Sequence, residues 1–216
     1  MAPRPVDGTS MSYICLLLSG AALLINGLGL LGRVTSRDSG FFNLVIGTLQ
    51  LVIATLIASA DAAGPAAIGS ASGIFLFGLT YLYVGLGSVA GLGSSGVGWF
   101  CGLVAVLAVV FAGTSLDDDP VSSVLWLAWA VLWGLFFLLL AFDAAHLARI
   151  TGWSAILVGT ASTVAPAVLG LNGAWPAGWT SALTVAGIIA VLFVVAGAVS
   201  SRPVKAPAAP QVAVPA

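Results

Sequence analysis

The run VSSVLWLAWAVLWGLFFLLLAF at residues 121–142 contains no charged side chain and no proline. A helix rises about 1.5 Å per residue, so a run of this length matches the roughly 30 Å hydrocarbon core of a bilayer. No water is available at that depth, so the backbone must satisfy its own polar groups, and a helix does so within one segment. Within this run Trp126, Trp129 and Trp133 stand at i, i+3 and i+7, which places three indoles along one helical face. Six more uncharged runs of similar length follow along the chain, at 12–31, 40–60, 67–87, 96–116, 152–171 and 177–199. The whole chain agrees with them. Of its 216 residues 60% are hydrophobic and 6% charged, against roughly a quarter charged in a water-facing domain. Mean hydropathy is +1.17. The 27 glycines and the long apolar runs, in place of short alternating segments, predict packed helices and exclude an outer-membrane barrel. The expected fold is an all-α polytopic membrane protein with seven transmembrane helices. A net charge of −1 leaves no basic surface for nucleic acid.

Cationic residues assign the orientation, because cytoplasmic loops carry the excess of Lys and Arg. Arg33, Arg37, Arg149, Arg202 and Lys205 fall on one side of a seven-span chain, whereas Arg4 alone falls on the other, with Asp7, Asp61, Asp117, Asp118 and Asp119. The N-terminus is therefore expected outside and the C-terminus inside. The expected organisation is an extramembrane tail at 1–11, a six-helix channel core at 12–171, a seventh transmembrane helix at 172–200 and a disordered Pro/Ala-rich cytoplasmic tail at 201–216. The apolar run after the N-terminal tail is too long for a signal-peptide core and lacks a clear small-residue cleavage site, so the tail is expected to be retained. Asp119-Pro120 reads as a helix start, with Asp as cap and Pro at the first helical position.

A Gly-aromatic step opens the span after each loop on the cationic side: Gly40-Phe41, Gly98-Trp99 and Gly152-Trp153. Two readings stand. Three successive hairpins are copies of one unit around a shared axis with the seventh helix appended, or aromatics simply gather at interfaces.

A pump or coupled carrier needs an ionisable group within the membrane, and the seven apolar runs contain none. Asp61, Asp143 and His146 sit at span ends, where solvation is their ordinary role. His146, Cys15 and Cys101 lack the partner spacing of a metal site, so no metal or cofactor is expected; the two cysteines read as small buried hydrophobes. No nucleophile stands with a base at depth, which argues against an enzyme. What the spans do contain is aromatics: the three tryptophans, and Phe77 with Tyr81 at i, i+4. Such stripes more often pack than conduct, but Trp129 and Tyr81 lie deeper than an interfacial belt. Asn26, Asn43 and Gln50 also need partners at membrane depth, either across helices or along a narrow polar path.

Two strings resemble signature segments of the urea/amide channel family, the AmiS/UreI type: LFGLTYLY at 76–83 and WLAWAVLW at 126–133. Asn26-Gly27, Phe42-Asn43-Leu44 with Gly47, and Thr151-Gly152-Trp153 with Pro166 are similar to that family as well. The likeness extends over about residues 11–170. It implies a passive pore through each protomer, built from three two-helix hairpins, in a homo-hexamer around a lipid-filled centre in the cytoplasmic membrane. By the same resemblance, Trp129, Trp133, Phe77 and Tyr81 form one constriction with Leu23 beside it, while Trp126 and Leu16 lie toward an outer one. The solute it implies is urea or a short amide. An aromatic and aliphatic slit passes a thin planar solute and excludes hydrated ions, whose desolvation goes unrepaid.

The chain also departs from the acid-gated members of that family. Its loop at 61–66 is short and has no histidine, and Val158 stands where those channels carry a glutamate. With no titratable cluster between pH 5 and 8, an ungated pore is expected. The seventh helix resembles the amide-operon branch and favours short aliphatic amides such as acetamide, with urea second. The alternatives are a proton-coupled amide or urea carrier, and a non-transporting membrane scaffold or sensor in which the aromatics only pack.

Overall fold

The computed structural model describes residues 8–60 and 64–202. Arg4, Asp7, Asp61, Lys205 and most of the two tails assigned above lie outside the described residues. Among those described, seven helices are long and apolar enough to cross a membrane and there is no strand. They are α1 (Gly8–Leu30), α2 (Ser36–Ala58), α3 (Pro65–Ala90), α4 (Ser95–Ser115), α5 (Pro120–Ala141), α6 (Ala145–Leu171) and α7 (Gly178–Ser200).

Local chemistry sets several of the ends. The Thr35 hydroxyl accepts from the Asp38 amide at 3.3 Å and starts α2 ahead of its apolar run. Pro65 occupies the first turn of α3, and Gly91 closes that helix in the left-handed conformation, φ 68°. Asp119 caps α5 with Pro120 behind it, as the sequence predicts.

Lipid tails are as apolar as leucine, so helices in a membrane associate through close packing and polar bonds rather than hydrophobic burial. Here glycine provides the closeness. The helices pack as three pairs: α2 with α3, α4 with α5, and α1 with α6. Two of these are hairpins of consecutive helices, whereas the third joins the first and last helices of the six-helix body. The glycines of the Gly-aromatic steps sit at equivalent places in all three. A β-carbon on Gly40 would meet the Ser88 side chain at 2.8 Å, one on Gly98 would collide with the Ala141 backbone, and one on Gly152 would lie 3.1 Å from the Gly27 carbonyl. The aromatic neighbours Phe41 and Trp99 point outward, 52% and 59% exposed. The glycine of the step is thus a packing device in all three pairs, whereas the aromatic turns outward in two and Trp153 is half-buried.

α6 is interrupted. It opens with a tight 3-10 turn at Ala145–Leu147, widens to a π turn at Ala155–Gly159, and resumes as an α-helix over Thr160–Leu171 with Pro166 inside it. Val158 is fully buried in the wide turn. α7 lies outside the six-helix body against α5 and α6. Its buried residues are Ala182, Ile189 and Ala196, one seam seven residues apart, while Leu183 and Val194 are about 70% exposed. At its end the Arg149 guanidinium donates to the Arg202 carbonyl at 2.8 Å, tying the first turns of α6 to the residues after α7.

Candidate functional site

A cavity of about 1100 Å³ runs into the bundle from the end that carries the start of α1 and the α2–α3, α4–α5 and α6–α7 loops. Its mouth is polar, with Thr9, Ser12, Ser70, Asp118, Asp119 and Ser122. Deeper in, the lining turns aromatic and aliphatic at Leu16, Trp126, Phe77 and Trp129.

Below this point the aromatics close on one another. Phe77 stacks on Trp133 with ring centroids 4.4 Å apart and planes at 12°. It also meets Trp129 edge-on at 5.3 Å and Trp126 at 5.7 Å. Trp126 in turn packs against Trp129 at 4.9 Å and Phe111 at 4.8 Å. Offset and edge contacts at these separations are the favourable geometries of aromatic rings. Trp133, Tyr81 and Leu23 lie beyond the cavity, each 1% exposed. The seven residues named from the sequence thus divide in two: Leu16, Trp126, Phe77 and Trp129 face the cavity, and Leu23, Tyr81 and Trp133 are buried outside its lining.

Indole N–H groups at this depth need acceptors. Trp129 donates to the Ser162 hydroxyl at 3.0 Å, and Trp133 to the Thr80 hydroxyl at 3.3 Å. Ser162 stands three residues past the π turn of α6, and Thr80 precedes Tyr81 in α3. Each bond therefore fixes the plane of an indole from a neighbouring helix.

Asn26 and Asn43 do not reach the cavity. They bond reciprocally across α1 and α2: Asn26 Nδ2 donates to Asn43 Oδ1 at 3.0 Å, and Asn43 Nδ2 to Asn26 Oδ1 at 2.6 Å. The Ser39 hydroxyl adds a bond to Asn26 Oδ1 at 3.1 Å. Bonds of this kind in membranes average about 0.6 kcal/mol, so the cluster sets the register of two helices more than it holds the fold. Gln50 does line the cavity, and its amide nitrogen donates to α1.

Two residues at the mouth escape a reading by helical spacing. Tyr13 and Trp175 stack at 5.5 Å with planes at 23°, and Trp175 Nε1 donates to Asp119 Oδ2 at 3.1 Å. Trp175 lies between α6 and α7, so its approach to α1 and α5 is a matter of tertiary structure. Its one sequence signal is a tryptophan in a short linker of Gly, Ala, Asn and Pro. Asp119 thus serves two elements, since its carboxylate also accepts from the Ser122 amide at 3.0 Å and the Ser122 hydroxyl at 2.7 Å. Asp119→Ala is expected to lower stability by about 1–2 kcal/mol, the cost of a lost cap. Trp175→Phe should cost less. Thermal unfolding in detergent measures both, and equal losses would show that the cap contributes nothing beyond the indole bond.

Comparison with known proteins agrees with this architecture. The model of the AmiS/UreI family transporters matches residues 11–174. Rhodococcus erythropolis AmiS2, a transporter by its name, is 44% identical over 183 residues, which cover 81% of this chain and 89% of that one. A Mycolicibacterium smegmatis protein named as an amidate substrates transporter is 36% identical over 185 residues, covering 85% and 84%. Among solved structures, the Helicobacter pylori urea channel in its closed state superimposes with a TM-score of 0.68 at 26% identity, over 76% of this chain and 99% of that one. With its glycine-closed helix pairs and its family match from α1 through α6, the chain belongs to the AmiS/UreI family of transporters.

Proposed function

We propose that this chain is a passive, ungated channel for small neutral amides, namely short aliphatic amides such as acetamide, and urea. The observation that carries this reading is the cavity that narrows from a polar mouth onto Phe77, Trp129 and Trp133. Planar solutes fit between aromatic faces, and an ion would lose its hydration there without replacement. Below Asp118 and Asp119 the described residues of the cavity lining offer no carboxylate, imidazole or amine. Such a path has no group on which proton coupling or acid gating would act. The relatives named for amidate and urea transport support this solute class. The placement is the cytoplasmic membrane, N-terminus outside, in a homo-hexamer, with Leu16, Leu23, Phe77, Tyr81, Trp126, Trp129 and Trp133 along the path. In this reading Asn26 and Asn43 are structural.

Stopped-flow light scattering on proteoliposomes tests the reading. Acetamide and urea influx is expected to be non-saturating, several-fold above empty vesicles, and the same at pH 7 and pH 5. Trp129→Ala should alter the ratio of amide to glycerol influx while the assembly survives. A several-fold pH response would remove the ungated claim, and saturable counterflow would favour the coupled carrier. Wild-type influx equal to that of empty vesicles, with the protein folded, would favour a scaffold.

A further inference from the structure

Gln50 is fully buried in α2 and lines the deep part of the cavity. Its amide nitrogen has two hydrogens, and both are used: one goes to the Cys15 carbonyl at 2.9 Å, the other to the Ser19 hydroxyl at 2.8 Å. A backbone carbonyl can only accept, so the nitrogen is fixed on the α1 side and the amide cannot turn over. Gln50 Oε1 therefore faces away from α1, and no donor among the described residues meets it. A buried acceptor left without a donor costs roughly 1–3 kcal/mol, and helix packing alone would not call for it.

The surroundings specify the missing partner. The indole N–H groups of Trp129 and Trp133 are committed to Ser162 and Thr80, so these two rings offer a passing solute their faces and no N–H. The Tyr81 hydroxyl of α3 also faces Ser19. Ser19 thus lies between Gln50 on α2 and Tyr81 on α3, and the Gln50 oxygen is the acceptor left open. An amide carries its complement, an N–H donor.

We propose that the Gln50 side-chain carbonyl receives an N–H of the amide as it leaves the vestibule for the aromatic slit, which makes Gln50 a selectivity residue for solutes with an N–H. The step replaces one of the solute's bonds to water where Phe77 and Trp129 cannot. This inference rests on the channel reading and adds to it the chemistry of recognition.

The test compares Gln50→Met, similar in length but without the amide, with the wild type in proteoliposomes. Urea and acetamide influx is expected to fall about tenfold, as the loss of one buried hydrogen bond implies, with water permeability within about twofold of wild type. If Gln50 were packing alone, water and amide would change together, and that result overturns the proposal. A second measurement needs no variant. Propionamide and N,N-dimethylformamide are isomers, and only the first has an N–H. After subtraction of influx into empty vesicles, the wild-type protein should pass propionamide about tenfold faster. Equal rates would overturn the proposal while leaving the channel reading intact. Absence of protein-dependent influx for both isomers, and for urea, would instead overturn the channel reading and the proposal with it.

Discussion

Phe77→Ala is expected to raise glycerol influx about tenfold and to lower the urea-to-glycerol ratio by a similar factor, about 1.4 kcal/mol of lost discrimination. The ring stacks on Trp133 at 4.4 Å and meets Trp129 at 5.3 Å, so it closes the slit from the α3 side. Alanine removes the six-membered face that both indoles touch and leaves room for a bulkier, non-planar solute. Phe77→Leu restores most of the volume without the flat face and is expected to fall between the two. A buried Phe→Ala change costs about 3–5 kcal/mol in soluble cores, so thermal unfolding in detergent belongs beside the flux assay. Wild-type glycerol influx in a folded Phe77→Ala protein would show that the limiting gap lies elsewhere.

A large stability effect is expected at Gly47. A β-carbon there would stand 2.5 Å from the Leu82 amide nitrogen, 2.8 Å from the Gly78 carbonyl oxygen and 2.9 Å from the Leu82 Cα. All three are backbone atoms of α3 and cannot rotate aside, so α2 and α3 must separate. Overpacking typically costs about 1–3 kcal/mol, occasionally more, and in a membrane the lost close contact is itself the main attraction between helices. Gly47→Ala is expected to lose about 3 kcal/mol and Gly47→Leu to prevent stable folding. Gly87→Ala is the control on the same helix pair, since nothing lies within 4 Å of its β-carbon position. There alanine should be neutral or gain up to about 1 kcal/mol of helix propensity. Melting temperatures of the three variants in one detergent decide it, and equal behaviour of Gly47→Ala and Gly87→Ala would overturn the assignment of the α2–α3 contact.

Much of the site is legible before any fold is known because its residues repeat at helical spacing. Trp126, Trp129 and Trp133 share a face by arithmetic, and Phe77 and Tyr81 share another. That the two faces meet is a statement about α3 and α5, which no periodicity within either helix contains. Gln50, Asn26 and Asn43 illustrate the same limit. Each visibly needs a partner at depth, but the two asparagines satisfy each other across α1 and α2, whereas Gln50 is satisfied only on its nitrogen. Ser162 and Thr80 look like any other hydroxyls in an apolar run until an indole is found against them.

The amino-acid sequence by itself determined the number of spans, the helical character of each and the start of α5 at Asp119-Pro120. Those depend on local properties: run length against bilayer thickness, backbone satisfaction in the absence of water, and capping. Tertiary structure alone decided that α1 pairs with α6 rather than with a neighbour in the chain, that the Gly-aromatic steps are sites of close approach, and that Trp175 reaches Asp119. Most faces of these helices are apolar enough for lipid, so hydropathy alone seldom distinguishes a face that meets another helix from one that meets the bilayer. Shape does, through glycines that admit a neighbouring backbone and through polar groups that find a partner.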